Sequence, residues 1–142
     1  MSTEENKAIV RRFLEAFSNA DLAVIDEMIT PNVVNHTALA QLRYGAEDFK
    51  RLTSLVKSIA PDQQWEIEDM IAEGDQVAVR CTWSGTQQGP YLLAPATGKR
   101  FAVQHIHIFR LADGKVAEHW AIRDDLGMLQ QLGAIPTPGQ PG

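Results

Sequence analysis

The sequence predicts an α+β domain in which a curved antiparallel sheet wraps N-terminal helices and leaves an internal cavity between them. Three observations lead there. Apolar residues recur at helical spacing as far as Ile59, the period switches to two from Gln63 onward, and the long alternation from Phe101 to Asp125 is interrupted by Asp113-Gly114, a hairpin signal. Helices followed by a run of strands place the helices together on one face of an antiparallel sheet. A sheet curled over helices leaves a space between them, suited to an apolar ligand with a few polar fixings.

Ser2 and Glu5 form a capping box, and Ile9, Val10, Phe13, Leu14 and Phe17 then keep helical spacing, so the first helix spans about Thr3 to Ser18. Asp21 caps a shorter helix with Leu22, Ile25, Met28 and Ile29 facing inward, and Thr30-Pro31 ends it. In the extended piece Asn32 to Thr37, Val34 and His36 share a side. Phe49, Leu52, Leu55, Val56 and Ile59 define a third helix that stops at Ala60-Pro61. Trp65, Ile67, Asp69 and Ile71 then alternate with Glu66, Glu68 and Met70, and after the turn at Glu73-Gly74-Asp75, Val77, Val79, Cys81 and Trp83 alternate with Ala78, Arg80 and Thr82. Residues 84–100 are rich in Gly and Pro and read as a loop, a candidate rim or lid. A short helix from Leu126 to Leu132 follows the hairpin, with Asp125 as its cap and Gly133 as its stop.

A chain of 142 residues is one domain, here residues 1–133, with a flexible Pro- and Gly-rich tail over 134–142. The single Cys81 excludes an intramolecular disulfide and gives no support for structural zinc, which fits a reducing cytoplasm. A net charge of −5 argues against nucleic acid and anionic membrane as partners, and no stretch approaches the length of a membrane span. The remaining partner is a small molecule.

The hairpin decides the site. Val116, Glu118, Trp120, Ile122 and Asp124 point one way on its second strand, and Ala117, His119, Ala121, Arg123 and Asp125 the other. On the first strand His105 and His107 share a face with Val103 and Phe109. A two-residue Asp-Gly loop sets His107 opposite Trp120 and leaves Asp124 on the histidine face, whereas a three-residue loop with a bulge at Gly114 brings Ile106 and Ile108 beside Trp120. The first gathers the polar groups and is preferred. A carboxylate on that apolar face has its pKa raised by desolvation, which suits a general base, and Asp124 is the candidate. His107 then donates to a developing oxyanion. His105, His36, Trp120, Phe17 and Arg80 are candidates for the cavity wall, Arg80 as a cation in an otherwise uncharged strand. Capping for Asp124, a satisfied core or loop-end position for the histidines and a snorkelling surface position for Arg80 are the structural alternatives. His119, with Ala121, is expected on the opposite face, together with Ile106 and Ile108, where an exposed apolar row invites a homodimer.

Five segments, ENKAIVRRFLEAF, VVNH, GTQQGPYLLAPATGKR, FRLADGKVAEHW and DDLGMLQQLG, together make the chain resemble the SnoaL-like polyketide cyclases, a branch of the nuclear-transport-factor-2-like fold. The resemblance covers nearly the whole chain. It implies a cone with a deep cavity, dimers, no metal or organic cofactor, and an Asp on the last long strand as acid/base, which corresponds to Asp124. It also implies ring closure by intramolecular aldol addition on a hydrophobic or aromatic carbonyl compound. The same fold hosts hydroxylases, hydrolases and non-catalytic binders, so these remain alternatives. One departure concerns the rim: the family's PTGK stands here as ATGK, with Pro95 displaced by one residue.

Overall fold

The structure is a computed structural model and describes residues 1–139. Helix α1 spans Thr3–Ser18, and both halves of its capping box are formed between Ser2 and Glu5. Helix α2 (Leu22–Met28) is capped by the Asp21 side chain, and α3 covers Ala46–Ile59. Strands β1 (Ile29–Asn35), β2 (Gln64–Glu73), β3 (Gln76–Thr86), β4 (Arg100–Ala112) and β5 (Lys115–Arg123) form one sheet in the order β1-β5-β4-β3-β2. Helix α4 (Asp125–Gln131) follows β5. The sheet is mixed rather than purely antiparallel, because β1 joins β5 in parallel at the edge, where Pro31 needs no ladder partner.

Two β-bulges correct the expected side-chain faces. In β5, Leu111 pairs with Val116 but Arg110 pairs with Glu118, so Ala117 is an extra residue. The turn itself is the two-residue Asp113-Gly114 loop, with φ of 52° and 76°. Beyond the bulge, however, His107 faces Ala121 and Ile108 faces Trp120. His119, Ala121 and Arg123 therefore turn toward the helices, while Trp120 and Ile122 turn outward beside Ile106 and Ile108. In β2, Ile67 pairs with Cys81 and Asp69 with Arg80, leaving Glu68 as the extra residue. Met70 is consequently buried and Ile71 is exposed, the reverse of simple alternation.

Two apolar clusters fill the concave side. One joins α1, α2 and α3 to the sheet through Phe13, Ile25, Phe49, Val79 and Phe109. The other lies under the 87–99 loop and α4, with Trp83, Tyr91, Phe101, Met128 and Leu132. Trp65 packs against both, and the cavity opens where they meet. Of the expected tail, residues 134 and 135 hydrogen-bond back to Leu129 and Ile135 packs on the second cluster; residues 140–142 lie outside the described residues.

Candidate active site

The concave face encloses a cavity of about 360 Å³ with walls that are mostly apolar. Phe17 from α1, Leu52 and Val56 from α3, and the indoles of Trp65 and Trp83 form much of its lining. The two indoles stack at 5.3 Å, and both of their N–H groups donate to Gln63 Oε1, at 3.1 and 2.9 Å. Gln63 in turn donates to the Ser18 carbonyl at 3.0 Å, tying the aromatic wall to the end of α1. A wall of parallel rings held by one amide presents a flat face to a planar ligand. The Gly- and Pro-rich loop supplies Tyr91 and Leu92 to the rim, and buried Gln87 holds it, its Oε1 accepting from both the backbone and the hydroxyl of Thr97.

Three buried histidines cross the sheet beneath this space. His105 and His107 come from β4 and His119 from β5, with relative exposures of 3%, 7% and 8%. His105 Nδ1 lies 3.3 Å from His107 Nε2, His107 Nδ1 lies 2.7 Å from His119 Nε2, and His119 Nδ1 lies 3.0 Å from Asn35 Oδ1 on β1. The row is continuous from β1 to the middle of β4. Burial disfavours the charged imidazole, and Arg123 adds repulsion, so the pKa values of His105 and His107 fall to about 3 and that of His119 well below its ordinary value. At neutral pH all three are uncharged, each with one N–H and one lone pair. Among the described residues no group of three metal-ligating side chains is placed to hold a metal ion. Four of the six ring nitrogens face one another, and His119 Nδ1 faces Asn35.

Of the residues singled out from the sequence, His105, His107 and Phe17 line the cavity. Asp124 does not. Its side chain accepts from the Gly127 N–H at 2.8 Å as the cap of α4, and it is exposed. A Cβ added at Gly127 would collide with its oxygens, so the carboxylate is folded over the first turn of the helix. The bulge at Ala117 and the end of β5 at Arg123 are the reasons: Asp124 has left the strand and serves the helix, so it rather than Asp125 is the cap. Trp120 is displaced to the outer face by the same bulge and stacks on His36 at 4.8 Å, while His36 Nε2 contacts Glu118 at 3.4 Å. Arg80 is exposed on the outer face opposite Ile106. His119, expected at an outer surface, is instead inside.

Sequence reasoning also passed over Asn35, Thr37 and Arg123, which line the cavity with the histidines. The usable signal was the pair Val116-Ala117, two adjacent apolar residues just after a turn, which breaks alternation where a bulge sits. Among the described residues no carboxylate lines the cavity. Asp125 reaches its edge, where it accepts from the Tyr91 hydroxyl and lies 3.6 Å from Arg123. Burial and this hydrogen bond raise the Tyr91 pKa, so the phenol stays protonated.

The model of the family described as SnoaL-like polyketide cyclase matches residues 7–132. Aklanonic acid methyl ester cyclase DnrD of Streptomyces peucetius is 33% identical over 144 residues, covering 97% of each chain. Nogalonic acid methyl ester cyclase of Streptomyces nogalater is 29% identical, over 91% of this chain and 97% of its own. Among solved structures, TsrD from Streptomyces laurentii superposes with a TM-score of 0.86 at 32% identity, covering 95% of this chain and 99% of that one.

Proposed function

Because the chain belongs to the SnoaL-like polyketide cyclase family, we propose that it closes a ring in a polyketide-like carbonyl compound by intramolecular aldol addition, using only its own side chains for acid/base chemistry. The observation that carries this is the row of neutral histidines beneath an enclosed aromatic cavity. A base removes a proton from a carbon next to a carbonyl, the resulting enolate attacks a second carbonyl of the same molecule, and the alkoxide takes the proton back. Nothing is gained or lost overall. The base belongs to the histidine row, since Asp124 is turned away and Asp125 is paired at the edge. Arg123 at the cavity offers donors to oxygens of the ligand, and the stacked indoles hold its planar part.

The aklanonic acid methyl ester cyclases provide the test substrate by similarity. Incubation with aklanonic acid methyl ester is expected to give a product of unchanged mass and altered absorption, at a rate above that of buffer alone. Recovery of unreacted ester, with no such product from the nogalonic counterpart either, counts against the assignment.

The outer face supports a second copy of the chain as partner. Ile106, Ile108 and Ile122 are 50%, 37% and 77% exposed there, beside the Trp120–His36 stack. Ala121, expected in this row, is buried on the concave side. Contiguous apolar side chains on a sheet face favour burial against a like surface. Sedimentation at micromolar concentration is expected to show a dimer that Ile122→Glu dissociates; a monomeric wild-type protein contradicts it. A reducing cytoplasm suits the enzyme, whose single thiol, Cys81, is buried and pushed up to about 12 by desolvation.

A further inference from the structure

We infer that Asn35 is a positioning residue that orders the protons along the histidine row, so that the row ends in an unprotonated His105 Nε2 that takes the substrate's proton. The Thr37 N–H lies 3.3 Å from the same Asn35 side-chain atom that contacts His119 Nδ1 at 3.0 Å. A peptide N–H only donates, so that atom is the amide oxygen and the ring nitrogen facing it must carry hydrogen. His119, neutral, then has a lone pair at Nε2. That lone pair requires an N–H at His107 Nδ1, 2.7 Å away, which leaves His107 Nε2 bare. His107 Nε2 in turn requires an N–H at His105 Nδ1, 3.3 Å away. One tautomer follows from the next.

The last nitrogen, His105 Nε2, is buried and has no hydrogen-bond partner among the described residues, and its ring lines the cavity. An orphaned acceptor in a low-dielectric wall costs free energy until a donor meets it. The site therefore selects a ligand that presents an acidic C–H, an enol or a phenol at this point. This deepens the function proposed above and rests on it for the chemistry. When the C–H bond breaks, its electron pair stays on the enolate and the proton goes to His105 Nε2, giving an imidazolium. Its Nδ1–H bond to His107 then becomes charge-assisted, and the polarised row spreads the charge toward the Asn35 oxygen. After the carbon–carbon bond forms, the same proton returns to the alkoxide.

The groups around the row set no competing order. Arg123 on β5 repels an imidazolium until the enolate forms beside it, and Tyr91 and Cys81 stay protonated. The rings of Phe17, Trp65 and Trp83, which face the cavity from α1, β2 and β3, and of Phe49, which packs edge-on against His119 from α3, do not titrate.

Long-range 1H–15N correlation spectra of the ligand-free, 15N-labelled protein near pH 7 read tautomers directly. All three histidines are expected as Nδ1–H with a bare Nε2; His105 as the Nε2–H tautomer overturns the inference. In Asn35→Leu the order is expected to be lost as far as His105, with kcat reduced on the order of 10²-fold and KM changed less. Asn35→Asp keeps an acceptor oxygen, so it should retain the tautomers and most of kcat, and it serves if the Leu variant does not fold. Unaltered His105 signals in Asn35→Leu also overturn the inference. Correct tautomers without ring closure would instead count against the proposed function alone.

Discussion

Lowering the pH from 7 to 5 is expected to cost the protein a large share of its folding stability, on the order of 4 kcal/mol. The pKa values of His105 and His107 are depressed to about 3 and that of His119 well below its ordinary value in the folded state, while unfolded histidine titrates near 6.5. Between these limits the unfolded chain binds protons that the native protein refuses, so stability is full above about 6.5 and declines as the pH falls toward the folded values. His105 and His107 each lose about 1.4 kcal/mol per pH unit once the pH is well below 6.5, or about 2 kcal/mol at pH 5. Together they make about 4 kcal/mol, and His119 acts in the same direction, against a total of about 5–15 kcal/mol for a typical domain. Denaturant midpoints at pH 7, 6 and 5 should fall steeply at nearly constant m. A midpoint that stays level down to pH 5 would mean that the imidazoles are not buried in neutral form.

His105→Gln is expected to lower kcat/KM for ring closure on the order of 10² to 10⁴-fold, the range for a general base. Gln still fills the wall and can donate toward His107 Nε2, but it has no lone pair basic enough to take a proton from carbon. Stability near pH 7 should change little, because Gln keeps one buried donor toward His107 and one buried acceptor in place of the imidazole's. Below pH 6 the variant should lose less stability than the wild type, since one of the three buried imidazoles is gone. Those two effects on one substitution separate a chemical role from a packing role.

Much of the fold was legible in the sequence because its signals are local. The Ser2–Glu5 box and the spacing of Val10, Phe13, Leu14 and Phe17 require only neighbours along the chain, and α1 begins and ends where they place it. The Asp113-Gly114 loop was legible for the same reason, since left-handed φ at both positions favours those residues. The site was less so, because it depends on register. One extra residue at Ala117 exchanges the faces of β5, so His119 and Arg123 enter the cavity and Trp120 leaves it, although each lies in the strand that alternation assigned. Asn35 was invisible for a further reason. Its partner is 84 residues away, across a parallel pairing at the sheet edge that no local pattern encodes. Asp124 shows the converse: its sequence position fits the end of a strand and the start of a helix equally, and the Gly127 N–H decides for the helix.

The histidine row rather than Asp124 as the seat of acid/base chemistry is tested most directly by comparing kcat/KM of Asp124→Asn with that of His105→Gln on the same polyketide ester. Asn preserves the cap on α4 but cannot take up a proton. It is expected to leave kcat/KM within about two-fold of wild type, while His105→Gln loses on the order of 10²-fold or more. The reverse order, with Asp124→Asn inactive and His105→Gln near normal, would contradict the assignment.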